Sequence, residues 1–387
     1  MAKKKGQNEG TISKRTDGTW WGRITVGRND NGTQKRKAFY GKTRQEVQKK
    51  ITAALSDLDK GTYVEPSKII FLDWLDIWLE TYKKSEIKPM TYINYRAKIK
   101  NHIKPLIGKY RLNDLRIDII QDTINKLSSA KKLSPETVRG IYNIIHDSLN
   151  KAVKNGLIIK NVAIDITLPK IMKKEIRVFT VAEQERFIEE AKKVYAGEMF
   201  IFDLGTGLRI GELLGLTWSD VNFDEEIIRV KRTLNIVKDF DDSESKWHKE
   251  FGSPKTESSN RSIPLLPDLV TLLCQIRQKQ KELIEFVGSA YEDNNLIFAT
   301  QLGKPLDPRN MQRTFKVISD KSNITGATIH SCRHTFATRG LENGIELRVM
   351  QELLGHASIK MTADLYTHVL PDKKRDSIMK LSGTIKI

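Results

Sequence analysis

Two cysteines among 387 residues, Cys274 and Cys332, are too few for a disulfide framework and fit a reducing cytosol. No run reaches the ~20 consecutive apolar residues of a membrane span. The apolar stretch Ile69–Leu79 is broken by Asp73 and Asp76, so no membrane partner is expected. The first residues, Met1–Gln7, are basic but have no apolar segment behind them, which argues against a signal peptide and for a cytoplasmic protein. No period of 20–50 residues recurs, which excludes a solenoid. There is also no Gly-x-x-x-x-Gly-Lys-Ser/Thr loop, so nothing points to a nucleotide triphosphate.

Positive charge, by contrast, is abundant. Lysine and arginine number 66 against 48 acidic residues, a net charge of +18. The excess is unevenly placed: Met1–Lys60 carries +9, Gly61–Lys174 carries +10, and Glu175–Ile387 carries −1. A uniformly solvated surface would not divide this way. Nucleic acid is the favoured partner, because neutralising phosphates with Lys and Arg is the main sequence-independent source of affinity. With 39% hydrophobic residues the chain can form cores, and its length suits two or three domains of ~150 residues each.

The pattern predicts a multidomain protein, mainly α with small β parts. Residues 1–62 read as a small β-sheet plus helix. Trp20–Val26 and Thr33–Tyr40 are strands about the turn Asn29–Gly32, and Thr43–Leu58 is a helix. Trp20, Trp21, Arg23, Lys35, Arg36 and Lys37 mix aromatic and basic side chains on those strands, as a DNA-reading β-ribbon would. At least one of the tryptophans should instead be core. After a linker, residues 66–168 read as a bundle of four to five helices, including Leu72–Tyr82, Thr91–Ile103, Asp118–Leu127 and Ser134–Lys154. Residues 175–387 read as a mixed α+β domain with a C-terminal tail. Thr180–Glu183 opens a helix as a capping box, and Ile227–Leu234 and Arg261–Pro264 are strands about the polar segment Lys238–Asn260.

Four blocks in this last region carry chemistry. Thr206–Leu216 turns at Gly207, places Arg209 in a first helical turn and sets Glu212 three residues on, on the same face. Pro254–Leu265 places Lys255 near a hairpin tip. His330–His334 opens a helix with His330 and Arg333 on one face. Leu353–His368 puts His356 after a helix-ending Gly355 and Tyr366 ten residues further on. The His330/His334 spacing raises a metal site. However, the zincin pattern needs glutamate where Ser331 stands, and Cys332 lies on another face, so no metal is expected.

Arg…Lys…His-x-x-Arg…His…Tyr, in that order, resembles the tyrosine recombinase (phage integrase) family from about Lys68 onward. Thr-Gly-Leu-Arg, Pro-Lys-Thr, His-x-x-Arg-His-Thr, Leu-Gly-His and Tyr-Thr-His are all present. By a looser pattern, the N-terminal unit resembles the arm-site DNA-binding domain of integrases from conjugative transposons and temperate phages of Gram-positive bacteria. The resemblance implies a helical core-binding, SAM-like domain followed by a catalytic domain. It implies a catalytic set of Arg209, Lys255, His330, Arg333, His356 and the nucleophile Tyr366, with Glu212 in support. Double-stranded attachment sites, core and arm, would be the substrate. The enzyme would act as a homotetramer on DNA without cofactor, through a 3′-phosphotyrosine. The resemblance also leaves room for an excisionase and a host DNA-bending protein, and implies a tail that docks on a neighbouring protomer.

Two departures are Cys332, where the family more often has leucine, and the long segment Asp239–Phe251 before Lys255, read as a disordered hairpin insertion. His334 is expected to be structural. Three rivals share parts of the pattern. A Xer-like resolving recombinase usually lacks the extra N-terminal domain. A non-catalytic DNA-binding regulator would have lost one of the six residues. A relaxing type IB topoisomerase would lack the Leu-Gly-His spacing.

Overall fold

A computed structural model describes residues 11–28, 31–60, 68–130, 132–172, 176–238, 247–252 and 260–366. The chain divides into two compact units, Met1–Met172 and Lys173–Ile387. Among the described residues no helix is long and apolar enough to cross a membrane.

The first unit begins with an antiparallel sheet in the order β1 (Thr11–Lys14), β2 (Trp20–Arg28), β3 (Gln34–Gly41), followed by α1 (Arg44–Asp59). Strand β1 was not foreseen: four residues with one apolar side chain give no periodic signal. The Thr43 hydroxyl caps α1 by accepting from the Glu46 backbone N–H. Val47, Ile51 and Ala54 bury one helix face against Ile24, with Trp20 and Phe39 packed around them. Trp20 is therefore the tryptophan drawn toward the core. The pairing Arg23↔Ala38 and Thr25↔Arg36 leaves Trp21, Arg23 and Arg36 on the open face, while Lys37 pairs with buried Ile24 on the helix side, and Lys35 shares its parity. The six side chains read as one ribbon thus belong to two faces. On the open face the Arg23 guanidinium lies over the Trp21 ring, 5.8 Å from its centroid.

The helical part of this unit comprises α2 (Phe71–Ile77), α3 (Pro89–Lys98), α4 (Lys104–Ile107), α5 (Ile117–Ser129) and α6 (Pro135–Lys154). π-Helical turns at Trp78–Lys83 and Ile99–Ile103 continue α2 and join α3 to α4, so the predicted Thr91–Ile103 helix runs longer than its apolar spacing indicated. Ser134 caps α6 and Pro135 starts it, as expected. Trp74, Trp78, Ile124, Ile141, Ile145 and Leu149 are buried, and the Trp74 indole N–H donates to the Ser148 carbonyl at 2.9 Å.

The second unit opens with α7 (Val181–Ala191), whose Thr180/Glu183 capping box forms as predicted. Helices α8 (Glu198–Thr206) and α9 (Ile210–Leu214) follow. The sheet β4 (Val221–Asn222), β5 (Ile227–Val230), β8 (Arg261–Pro264) is antiparallel, and β6 (Thr233–Lys238) pairs separately with β7 (Trp247–Gly252). Ile227–Leu234 is therefore not one strand. The chain leaves the first sheet at Lys231-Arg232, two cations with no place in a buried ladder. The β6–β7 pairing gives the expected hairpin its base; its residues 239–246 lie outside the described set. Helices α10 (Pro267–Val287), α11 (Pro308–Lys321), α12 (Ile329–Glu342), α13 (Leu347–Leu354) and α14 (Ile359–Tyr366) complete the unit. Phe179, Phe187, Phe200 and Phe315 form an aromatic cluster within one core, and α8 packs against α12.

A β-carbon at Gly22 would stand 2.6 Å from Ile51 Cδ1 and 2.8 Å from the Thr11 carbonyl. Gly22→Ala should therefore separate the sheet from α1 at a cost of about 1–3 kcal/mol. Hydrogen exchange of the full-length protein is expected to show lost amide protection in β1–β3 and α1, with α6 unchanged. Equal protection in both would show that the sheet accommodates the methyl group.

Candidate active site

The site is assembled by the end of one helix. Helix α13 stops at Gly355, which takes the left-handed conformation (φ 61°). Like any helix terminus, it leaves carbonyls without intrahelical partners. Three guanidiniums meet three consecutive ones. Arg261 Nε donates to the Leu353 carbonyl at 2.6 Å, Arg333 Nη2 to that of Leu354 at 2.6 Å, and Arg209 Nη2 to that of Gly355 at 3.0 Å. Arg333 Nη1 reaches the Gly207 carbonyl at 2.6 Å, which ties α12 to the turn before α9.

Arg209 is not in a helical turn, as the sequence suggested. It is the extended N-cap residue of α9 (φ −78°, ψ 148°), because Gly207 (φ 62°) turns the chain just before it. Glu212 does lie where expected. Its Oε2 accepts the Arg209 backbone N–H at 3.0 Å and its Oε1 takes Arg209 Nη1 at 2.8 Å. Arg261 Nη2 binds Glu212 Oε2 at 3.0 Å, so the buried carboxylate sits between two arginines. Burial pushes the Glu212 carboxyl up, but the charge and hydrogen bond of Arg261, helped by Arg209, outweigh it and hold it below the ordinary value.

Cations crowd the rest of the site. Arg333, buried on α12, is brought down to about 9, first by burial and then by Arg209 and Arg261. His330 is lowered by local burial and by Arg333 and Arg209. His356 is lowered to about 3, by burial first and then by all three arginines. Its Nδ1 lies 2.9 Å from Thr362 Oγ1, a buried hydroxyl on α14. Tyr366 ends α14, one turn after Thr362, and α14 packs against α12 and α13; the tyrosine side chain is outside the described residues. Lys255 also lies outside them, between β7 and β8.

His334 stands edge-on to His330 with ring centroids 4.9 Å apart, and is lowered to about 4 by burial, His330 and Arg333. Cys332 is buried in the main core, near the carboxyl of Asp203. Among the described residues no group of three or more histidine, cysteine or acidic side chains could hold a metal. Arg261 and Thr362 were missed from sequence. Each acts through a partner distant in the chain or on another element, and neither belongs to a motif with chemistry of its own.

Residues 177–373 match the phage integrase family, and residues 70–128 match the N-terminal SAM-like domain of phage integrases. The chain belongs to the phage integrase family. A tyrosine recombinase XerC-like protein of Caldanaerobacter subterraneus subsp. tengcongensis is 32% identical over 93% of this chain and 94% of its own length. An integrase of Staphylococcus phage L54a is 28% identical over 85% of this chain and 97% of its own. The Tn1549 transposon integrase, solved in complex with a circular intermediate DNA, superposes with a TM-score of 0.68 at 21% identity over 81% of this chain and all of that one. That likeness establishes the shared integrase fold.

The depressed histidines carry a pH consequence. In the unfolded chain a histidine takes up a proton near pH 6.5, whereas folded His356 and His334 do not until about pH 3 and 4. Below pH 6.5 the unfolded state therefore binds more protons, and the second unit should lose stability as pH falls from 7 to 5. Melting curves across this range should show the loss. The two imidazoles should stay neutral by NMR down to pH 5, and a titration of either near pH 6.5 would contradict the reading.

Proposed function

We propose that this integrase-family enzyme is the site-specific recombinase of a mobile genetic element, cutting and rejoining DNA through a covalent 3′-phosphotyrosine. The observation that carries the proposal is the convergence of Arg209 and Arg333, with His330 and His356 beside them, on the end of α13. These four groups can donate to the non-bridging oxygens of one backbone phosphate, and forked guanidiniums suit that geometry. Arg333 and His356 are held down first by burial and then by the neighbouring arginines, and an incoming phosphate would offset the second of these. Catalysis of this kind is mainly positioning and charge stabilisation.

In the proposed step the Tyr366 oxygen gives its proton to solvent and attacks phosphorus, and the bond to the 5′-oxygen breaks. The 3′-phosphate stays on the tyrosine, and Lys255 gives the departing 5′-oxygen its proton. The reverse attack by a 5′-hydroxyl of the partner duplex rejoins the strands. The phosphoester bond energy is conserved in the link, so the cycle balances without nucleotide hydrolysis. Exchange between two duplexes requires four cuts, and one tyrosine per chain makes four protomers the natural assembly. The same reading divides the chain into an arm-site domain (residues 1–62), a core-binding domain (66–168) and a catalytic domain with its tail (175–387). The enzyme would work at the nucleoid in the bacterial cytoplasm, with an excisionase and a host bending protein as accessory factors. The XerC-like relative supports a second reading, a resolving recombinase acting on the host chromosome. The integrase of Staphylococcus phage L54a and the Tn1549 transposon integrase, both of mobile elements, favour the element-borne enzyme.

Tyr366→Phe should bind a nicked attachment-site duplex and form no covalent adduct in EDTA, where the wild type is trapped; an adduct in the variant would reassign the nucleophile. Removal of residues 1–62 should spare cleavage of the core site and cut recombination of a complete attachment site at least tenfold. Undiminished recombination would refute a role for this segment in arm-site binding.

A further inference from the structure

Beneath the arginines assigned to the phosphate lies a third that faces inward. Arg261 opens β8, and its side chain is only 6% exposed, against 34% for that of Arg209. Both of its described bonds are to protein: the Leu353 carbonyl at 2.6 Å and Glu212 Oε2 at 3.0 Å. A cation this deep is tolerated because it is paired, and its pairing is with the two groups that hold Arg209 from behind, Glu212 and the end of α13. Arg209 is more open and depends on what lies behind it. Glu212 grips its backbone and one guanidinium nitrogen, and Gly355 takes another. Arg261 is bonded to that carboxylate and, two residues before Gly355, to the same helix end.

We infer that Arg261 is a positioning residue for strand cleavage: by fixing Glu212 and the last turn of α13 together, it aims the Arg209 guanidinium at the phosphate without touching DNA. The inference rests on the reading of this site as a strand-cleaving centre. Without Arg261, the Leu353 carbonyl and Glu212 each lose a charged donor in a poorly solvated place. Glu212 would then be held by Arg209 alone, the group it is there to aim, with no other tie between its carboxylate and the end of α13. A misplacement of ~1 Å at such a centre can cost on the order of a hundredfold in rate.

The charged groups facing Glu212 are Arg209 at the start of α9, Arg261 on β8, Arg333 on α12 and Asp203 on α8. Burial favours protonation of Glu212, and Arg261 is the foremost cation opposing it. The ionised carboxylate is the form that holds Arg209. Loss of the Arg261 charge should therefore raise the pH at which cleavage fails on the acid side.

Relaxation of negatively supercoiled plasmid in EDTA reads strand cleavage and rejoining without a known attachment site. Arg261→Gln is expected to bind duplex DNA within about twofold of wild type and to relax plasmid on the order of 10–100-fold more slowly. Its acid limb should lie at higher pH. Combined with Glu212→Gln it should be no slower than Glu212→Gln alone, because the two act as one unit. Arg261→Lys, which keeps the charge but cannot span both partners, should be slowed with its acid limb unmoved. A wild-type rate and pH profile in Arg261→Gln, or losses that multiply in the double variant, would overturn the inference. If Arg261→Gln does not fold, Arg261→Lys decides: a wild-type rate there overturns the inference as well. A wild type that neither relaxes plasmid nor forms a Tyr366 adduct overturns the functional reading and this inference with it. A wild type that does both while the Arg261 variants behave normally overturns the inference alone.

Discussion

The second unit turns on a single helix end. The final carbonyls of α13 point their partial negative charge into a place where β8, α12 and the start of α9 each deliver a guanidinium. Like charges this close would ordinarily force the elements apart. Neutral carbonyls and one buried carboxylate hold them instead, and they do not fully compensate the charge. Burial first, and this excess charge second, bring Arg333 down to about 9 and keep His356 from taking a proton until about pH 3. Three guanidiniums face one ionised carboxylate, and a DNA backbone phosphate has the shape and charge to offset part of the excess.

Much of this could be read along the chain because the decisive pairs are local. Arg209 and Glu212 are three residues apart, as are His330 and Arg333, and the capping box at Thr180–Glu183 is a short-range pattern. What escaped the sequence is what folding brings from afar. Arg261 lies 49 residues from Glu212 and 92 from Leu353, and no spacing rule joins them. The Thr362 hydroxyl matters only because α14 returns beside His356. The break between β5 and β6 was hidden because apolar residues flank Lys231-Arg232 and mimic one continuous strand. The division of the N-terminal basic residues between two faces follows from strand register and the alternation of side chains along β3, which composition cannot supply.

Close backbone approach is the other device of the site. A β-carbon at Gly211 would meet Thr233 Oγ1 at 2.5 Å, so β6 can lie directly on α9 only because that position is bare. The base of the β6–β7 hairpin is thereby packed directly on the helix that begins just after Arg209.

Gly207 shows the same economy more severely. It adopts a left-handed conformation, and a β-carbon there would stand 2.5 Å from the Phe336 ring and 3.1 Å from Leu354. Its carbonyl is also the seat of Arg333. Strain, collision and a displaced guanidinium would all follow from one added methyl group. In a saturation-mutagenesis map this position should tolerate substitution as poorly as the arginines do, although it has no side chain to offer a substrate. Intolerance in this stretch thus marks the mould as much as the chemistry it shapes.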